Sequence, residues 1–144
     1  MLECLIIGDS IALGIAQAKT ECVAIVRSGI STRKWYNQFH QNPAYSEKSY
    51  KVAVISLSSN DMVGGYTSEY LYDVRKDIKA QTVIWILPSY TLKPKQFQMV
   101  KEIANEFKDG VLDITAHIGA DGLHPPNLNE YRKIGDKLKQ LTPK

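Results

Sequence analysis

Five short apolar runs, Glu3–Ile7, Val23–Arg27, Lys51–Leu57, Thr82–Leu87 and Gly110–Ile114, are separated along the chain by longer segments with helical spacing. That alternation restricts the sequence to an α/β fold, in which crossover helices join the strands of a five-stranded parallel sheet. Ile11–Thr20 carries Ile11, Leu13, Ile15 and Ala16, and Thr32–His40 carries Trp35, Tyr36 and Phe39, each set fitting one helix face. Ser68–Ala80 has the clearest period, with Tyr70, Leu71, Val74 and Ile78 at three- and four-residue steps, Thr67 as N-cap and Glu69 in the first turn. Pro94 opens a further helix whose stripe is Phe97, Val100, Ile103, Ala104 and Phe107, with Gly110 beyond its end. The last helix begins at Asn127, where Glu130 forms a capping-box-like pair and Tyr131, Ile134 and Leu138 face inward. Gln41–Ser49 and Ser58–Tyr66 read as irregular loops. With no internal repeat or linker, residues 1–144 read as one domain.

At 144 residues and 44% apolar content, one core can bury roughly two-thirds of the unfolded chain's surface, so neither a disulfide nor a structural metal is required. Cys4 and Cys22 stand in apolar stretches without close Cys or His companions; both read as buried thiols, and no metal site is expected. The net charge of +3 is spread along the chain without a like-charged run, so no nucleic-acid or membrane-surface partner is implied. The longest apolar runs fall far short of the roughly 18 residues that span a bilayer. The first residues lack a basic n-region and a cleavage site, which makes the expected location cytoplasmic, unless a phage particle or lysis delivers the protein outside.

In open α/β sheets ligands bind beyond the carboxyl ends of the strands, so the segments after each run are where chemistry is expected. Gly8-Asp9-Ser10 follows the first run and leads directly into a helix. A hydroxyl there meets unpaired backbone amides and a positive helix end that favour an alkoxide or oxyanion, although the same tripeptide also makes an ordinary capped turn. Ser28-Gly29-Ile30-Ser31 follows the second run, and its glycine either brings a backbone N–H to a ligand or serves a turn. Ser58-Ser59-Asn60-Asp61 follows the third: an Asn amide is a neutral donor suited to a developing negative oxygen, and equally an Asx turn. Asp121-Gly122-Leu123-His124-Pro125-Pro126 precedes the last helix. Its carboxylate can hold one imidazole nitrogen while the other takes a proton from a nucleophile; a surface turn with a chance His is the alternative.

Taken together and in this order, these blocks resemble the SGNH hydrolases of the GDSL esterase/lipase superfamily, whose signatures are Gly-Asp-Ser, an isolated Gly, Gly-x-Asn-Asp and Asp-x-x-His. The resemblance spans residues 5–126 and implies a three-layer α/β/α, flavodoxin-like fold. It also implies that Ser10 is the nucleophile, His124 the general acid/base and Asp121 the residue orienting His124. The implied oxyanion hole is the N–H groups of Ser10 and Gly29 with the Asn60 amide. Asp9 and Asp61 would brace the Ser10 turn and the Asn60 loop. One position departs from the family: Ser58 stands where Gly is usual, and if positive φ is needed there the serine is strained. His40 and His117 match no motif and read as surface or helix-end residues.

No cofactor or metal is implied. The short loops leave little chain for a lid or acyl tunnel, which points to a small acyl group, acetyl above all, on a larger alcohol such as a sugar. Tyr66 and Tyr90 fall in loops at the active end and are candidate sugar-stacking residues. The expected partner is therefore a small acyl ester or acylated sugar. A broad short-chain acyl-ester or thioester hydrolase, and an inactive binding module on the same fold, are the alternatives. A dinucleotide- or phosphate-loop domain is disfavoured, since neither Gly-x-Gly-x-x-Gly nor Gly-Lys-Ser/Thr occurs.

Overall fold

The computed structural model describes residues 1–62, 64 and 66–143; Val63 and Gly65 of the expected Ser58–Tyr66 loop, and Lys144, lie outside them. Strands β1 (Leu2–Gly8), β2 (Val23–Val26), β3 (Ser49–Ser56), β4 (Lys79–Leu87) and β5 (Gly110–Asp113) form one parallel sheet in the order β2-β1-β3-β4-β5. This is the flavodoxin-like winding, in which the chain reverses direction across the sheet at β1 and β3 and leaves a crevice there.

Alternate side chains along each strand feed opposite layers. Leu5, Ile7, Ala53, Ile55, Val83, Trp85 and Leu87 pack under helices α2 (Thr32–Phe39), α4 (Thr67–Lys76) and α5 (Pro94–Glu106). Cys4, Ile6, Val52, Val54, Ile84 and Ile86 pack under α1 (Ser10–Ala18) and α6 (Leu128–Leu141). The sheet is thus covered on both faces, as its continuous apolar strands require.

Four local expectations are corrected. The predicted Ser68–Ala80 helix ends at Lys76, and Ile78 leads into β4, whose first residues pair with Ser49 and Tyr50. Thr67 does not cap α4: Tyr66 occupies the cap position without a side-chain bond, and the Thr67 hydroxyl donates to the Met62 carbonyl instead. The Gln41–Ser49 segment contains a single helical turn, α3 (Pro43–Ser46), capped by Asn42 and anchored by the buried Tyr45. Finally, Cys4 and Cys22 are not thiols; they form a disulfide that ties β1 to the residue before β2.

Candidate active site

Gly8 decides where the first strand can end. A Cβ on it would lie 1.8 Å from the backbone oxygen of Ser56, so only glycine lets β1 and β3 converge this closely. The Asp9 N–H then donates to that same oxygen, and the Ser56 hydroxyl donates to Asp9 Oδ1. Asp9, not Ser10, is the N-cap of α1, accepting the Ile11 N–H. Ser10 therefore begins the helix, where backbone N–H groups have no partner within it. Asp9 is wholly buried and its Oδ2 has no hydrogen bond, and this burial pushes its pKa up to about 6, against the lowering effect of its Ser56 and backbone bonds.

The other half of the site comes from the turn before α6. Asp121 Oδ1 accepts the N–H groups of both Leu123 and His124, and Asp121 Oδ2 accepts from His124 Nδ1 at 2.8 Å. These bonds hold the Asp121 carboxyl down at about 2, so it stays ionised and keeps the proton on Nδ1. His124 Nε2 is thereby the acceptor for the Ser10 hydroxyl, 2.8 Å away. The Gly119 N–H closes the turn on the His124 carbonyl, and the buried Pro125 follows. Helices α1 and α6 lie side by side, with the Tyr131 ring packed where a Gly14 side chain would be.

The second and third blocks are joined by Asp61. Its carboxylate accepts from both the backbone N–H and the hydroxyl of Thr32, which fixes the start of α2 and with it the loop containing Gly29. Gly29 has φ +74°, a left-handed conformation, with open space where a Cβ would point. Asn60 Nδ2 donates to the Ile30 carbonyl at 3.1 Å, which occupies one of its two amide hydrogens and leaves the other. Ser58 does adopt positive φ, +91°, and is fully buried with its hydroxyl unpartnered.

Ser10, His124 and Asp121 are thus in one hydrogen-bonded line, and Asp9 and Asp61 each hold a loop beside it. Tyr66 points outward, 66% exposed, and lines a groove of about 660 Å³ that also contains Asn60. Tyr90 is equally exposed and lies edge-on to Phe97 in the loop after β4. His40 ends α2, bonded through Nδ1 to the Tyr36 carbonyl. His117 is a helix-end residue, closing a 3-10 turn, but it is buried rather than at the surface, with Nδ1 on Glu130 Oε2. That bond takes the Glu130 carboxylate away from the capping box, so Asn127 caps α6 by accepting the Glu130 N–H alone.

Two supporting residues were not anticipated. Gln96 is buried and donates to the Asp61 carbonyl, bracing the Asn60 loop from α5; a polar residue four before Val100 on the apolar stripe was its signal in the sequence. Leu92, half exposed, packs over Gly122 of the histidine turn, and nothing in the sequence marked it. Among the described residues the cluster suited to a metal is Cys4, Glu21 and Cys22, but its sulfurs are spent in the disulfide. No described helix is long and apolar enough to cross a membrane.

No protein-family profile and no curated protein matches the sequence. Solved structures do match the fold. A GDSL-like lipase from Bacteroides thetaiotaomicron superposes with a TM-score of 0.71 at 17% identity, over 97% of this chain and 87% of that one. The lipase/acylhydrolase from Enterococcus faecalis gives 0.71 at 16% identity, over 98% and 95%. An acetylxylan esterase from Geobacillus stearothermophilus gives 0.65 at 15%, over 96% and 93%, and catalytic mutants of that esterase replace a serine and a histidine by alanine. At these identities the likeness establishes the fold: the chain has the α/β/α fold of the GDSL lipases and acetylxylan esterases.

Proposed function

We propose that the protein is a serine esterase of the SGNH type that removes a short acyl group, acetyl in the first place, from an esterified sugar. The observation that carries this reading is the unbroken line Asp121–His124–Ser10, with 2.8 Å at each side-chain link, at the crevice where the sheet reverses. His124 takes the Ser10 proton as Oγ attacks the ester carbonyl, and Asp121 stabilises the imidazolium that forms. The oxyanion is held by the N–H groups of Ser10 and Gly29 and by the free amide hydrogen of Asn60. His124 returns the proton to the departing alcohol. Water, deprotonated by His124, then cleaves the acyl-enzyme and releases the carboxylic acid.

Exposure of the reacting centre limits the size of the acyl group. Asp121 is 54% and His124 34% accessible at the side chain, so the described residues leave this side of the reacting centre open and give a long acyl chain little shelter. The fold neighbours that hydrolyse acetyl groups from xylan support a sugar as the alcohol, and the exposed rings of Tyr66 and Tyr90 suit such a ligand.

The test is a hydrolysis series on p-nitrophenyl acetate, butyrate and octanoate with intact-mass detection of the acyl-enzyme. Rates should fall steeply with chain length, Ser10→Ala should lose at least a thousandfold, and Asn60→Ala on the order of a hundredfold. Undiminished turnover by folded Ser10→Ala would refute the assignment.

A further inference from the structure

The groove that opens from Asn60 has a charge pattern that acyl transfer does not use. Arg33 and Lys34 of α2 line it, both exposed, and neither is in an ion pair among the described residues. Its lining includes one carboxylate, Asp61, which is buried with both oxygens engaged by Thr32. The charges lining the groove are therefore net positive, on a chain whose own net charge is +3. Across from the cations stand Tyr66 and Tyr70 at the start of α4, and Asn37 adds a carboxamide on the α2 side. An arginine fork matches the planar oxygens of a carboxylate or phosphate, and a tyrosine face suits a sugar ring.

We propose that this groove binds a negatively charged group on the alcohol side of the ester, so that the substrate is the acyl ester of an acidic sugar, a uronic acid or a sugar phosphate. Arg33 and Lys34 hold the anion, and Tyr66 packs on the ring. The proposal rests on the esterase reading, because the groove takes its bearing from the carbonyl bound at Asn60. Hydrolysis then consumes one water and gives the short carboxylic acid and the free hydroxyl of the acidic sugar.

The test compares acetylated galacturonic acid, acetylated glucose 6-phosphate and acetylated xylose, with p-nitrophenyl acetate as the measure of an intact reacting centre. Wild type should favour the charged esters by on the order of tenfold in kcat/KM at low ionic strength, a preference that shrinks as salt shortens the Debye length. In the double variant Arg33→Gln/Lys34→Gln the ratio of charged to neutral ester should fall to about one. The ratio between the two charged esters identifies carboxylate or phosphate as the better ligand. Equal use of all three sugars by a wild type that turns over p-nitrophenyl acetate would overturn the groove assignment and leave the esterase standing. Failure on p-nitrophenyl acetate would refute the esterase instead. Calorimetric titration with the acetylated uronate then decides the groove: binding that the double variant loses upholds it, and no binding overturns it.

Discussion

Two buried side chains in the loops of the candidate site, Asp9 and Ser58, carry costs that the sequence only half revealed. That Asp9 would steady the Ser10 turn was legible from Gly-Asp-Ser; that it would be sealed from water with one oxygen unbonded depends on Ser56, a partner 47 positions away. Its pKa rises from 3.8 unfolded to about 6 folded, so the folded state holds a proton that the unfolded state has released. The corresponding stability is present below about pH 4 and is lost as pH climbs through 6, roughly 3 kcal/mol in all. In urea titrations between pH 4 and 7, Asp9→Asn should flatten that decline; an unchanged slope would show that another group causes it. Ser58 was legible as a departure from a glycine pattern, and its φ of +91° makes the strain concrete. Ser58→Gly should raise stability by about 1–2 kcal/mol, by relieving the left-handed backbone and removing an unbonded hydroxyl. A lowered midpoint would mean the hydroxyl has a partner the fold conceals.

Between elements, what matters is how α1 and α6 meet, since each bears one side of the Ser10–His124 bond at its leading end. A Gly14 side chain would stand 2.1 Å from Tyr131 Cζ, a distance no packed carbon tolerates. Gly14→Ala should therefore push α6 outward, costing about 1–3 kcal/mol and lowering kcat more than it raises KM. Adding Tyr131→Leu should restore part of both, as a double-mutant cycle would register; two independent losses would place the coupling elsewhere. Gly14 gave no warning because glycine within a helix usually reads as a weak point, and its ring partner lies 117 residues on. Strand and helix periodicities were readable because both faces of the sheet are buried. Element ends were less so: Ile78 fits the α4 stripe as well as a strand entry, and pairing with β3 decides for the latter.

Over the whole molecule, the proposed reacting centre and the covalent cross-link occupy opposite ends of the sheet. Cys4 lies near the start of β1 and Cys22 just before β2, while Ser10 follows the far end of β1. Sequence spacing concealed the pair because β1 and β2 become neighbours only after α1 has crossed between them. Replacing both cysteines by alanine should lower unfolding stability by roughly 2–4 kcal/mol, as expected for a loop of this length, with kcat/KM on p-nitrophenyl acetate unchanged within about twofold. A large loss of turnover would show that the bond helps to set the crevice as well.

The same bond makes residues 4–22 a covalent ring, with Ser10 inside it. Trypsin cutting after Lys19 and Arg27 would open that ring without freeing its pieces, so an acetylated serine would be found on peptide 1–19 still joined to 20–27 until a reductant is added. A non-reducing digest would thus carry the acyl mark and the cross-link in one ion, and reduction would separate them and leave the mark on the peptide containing Gly8-Asp9-Ser10.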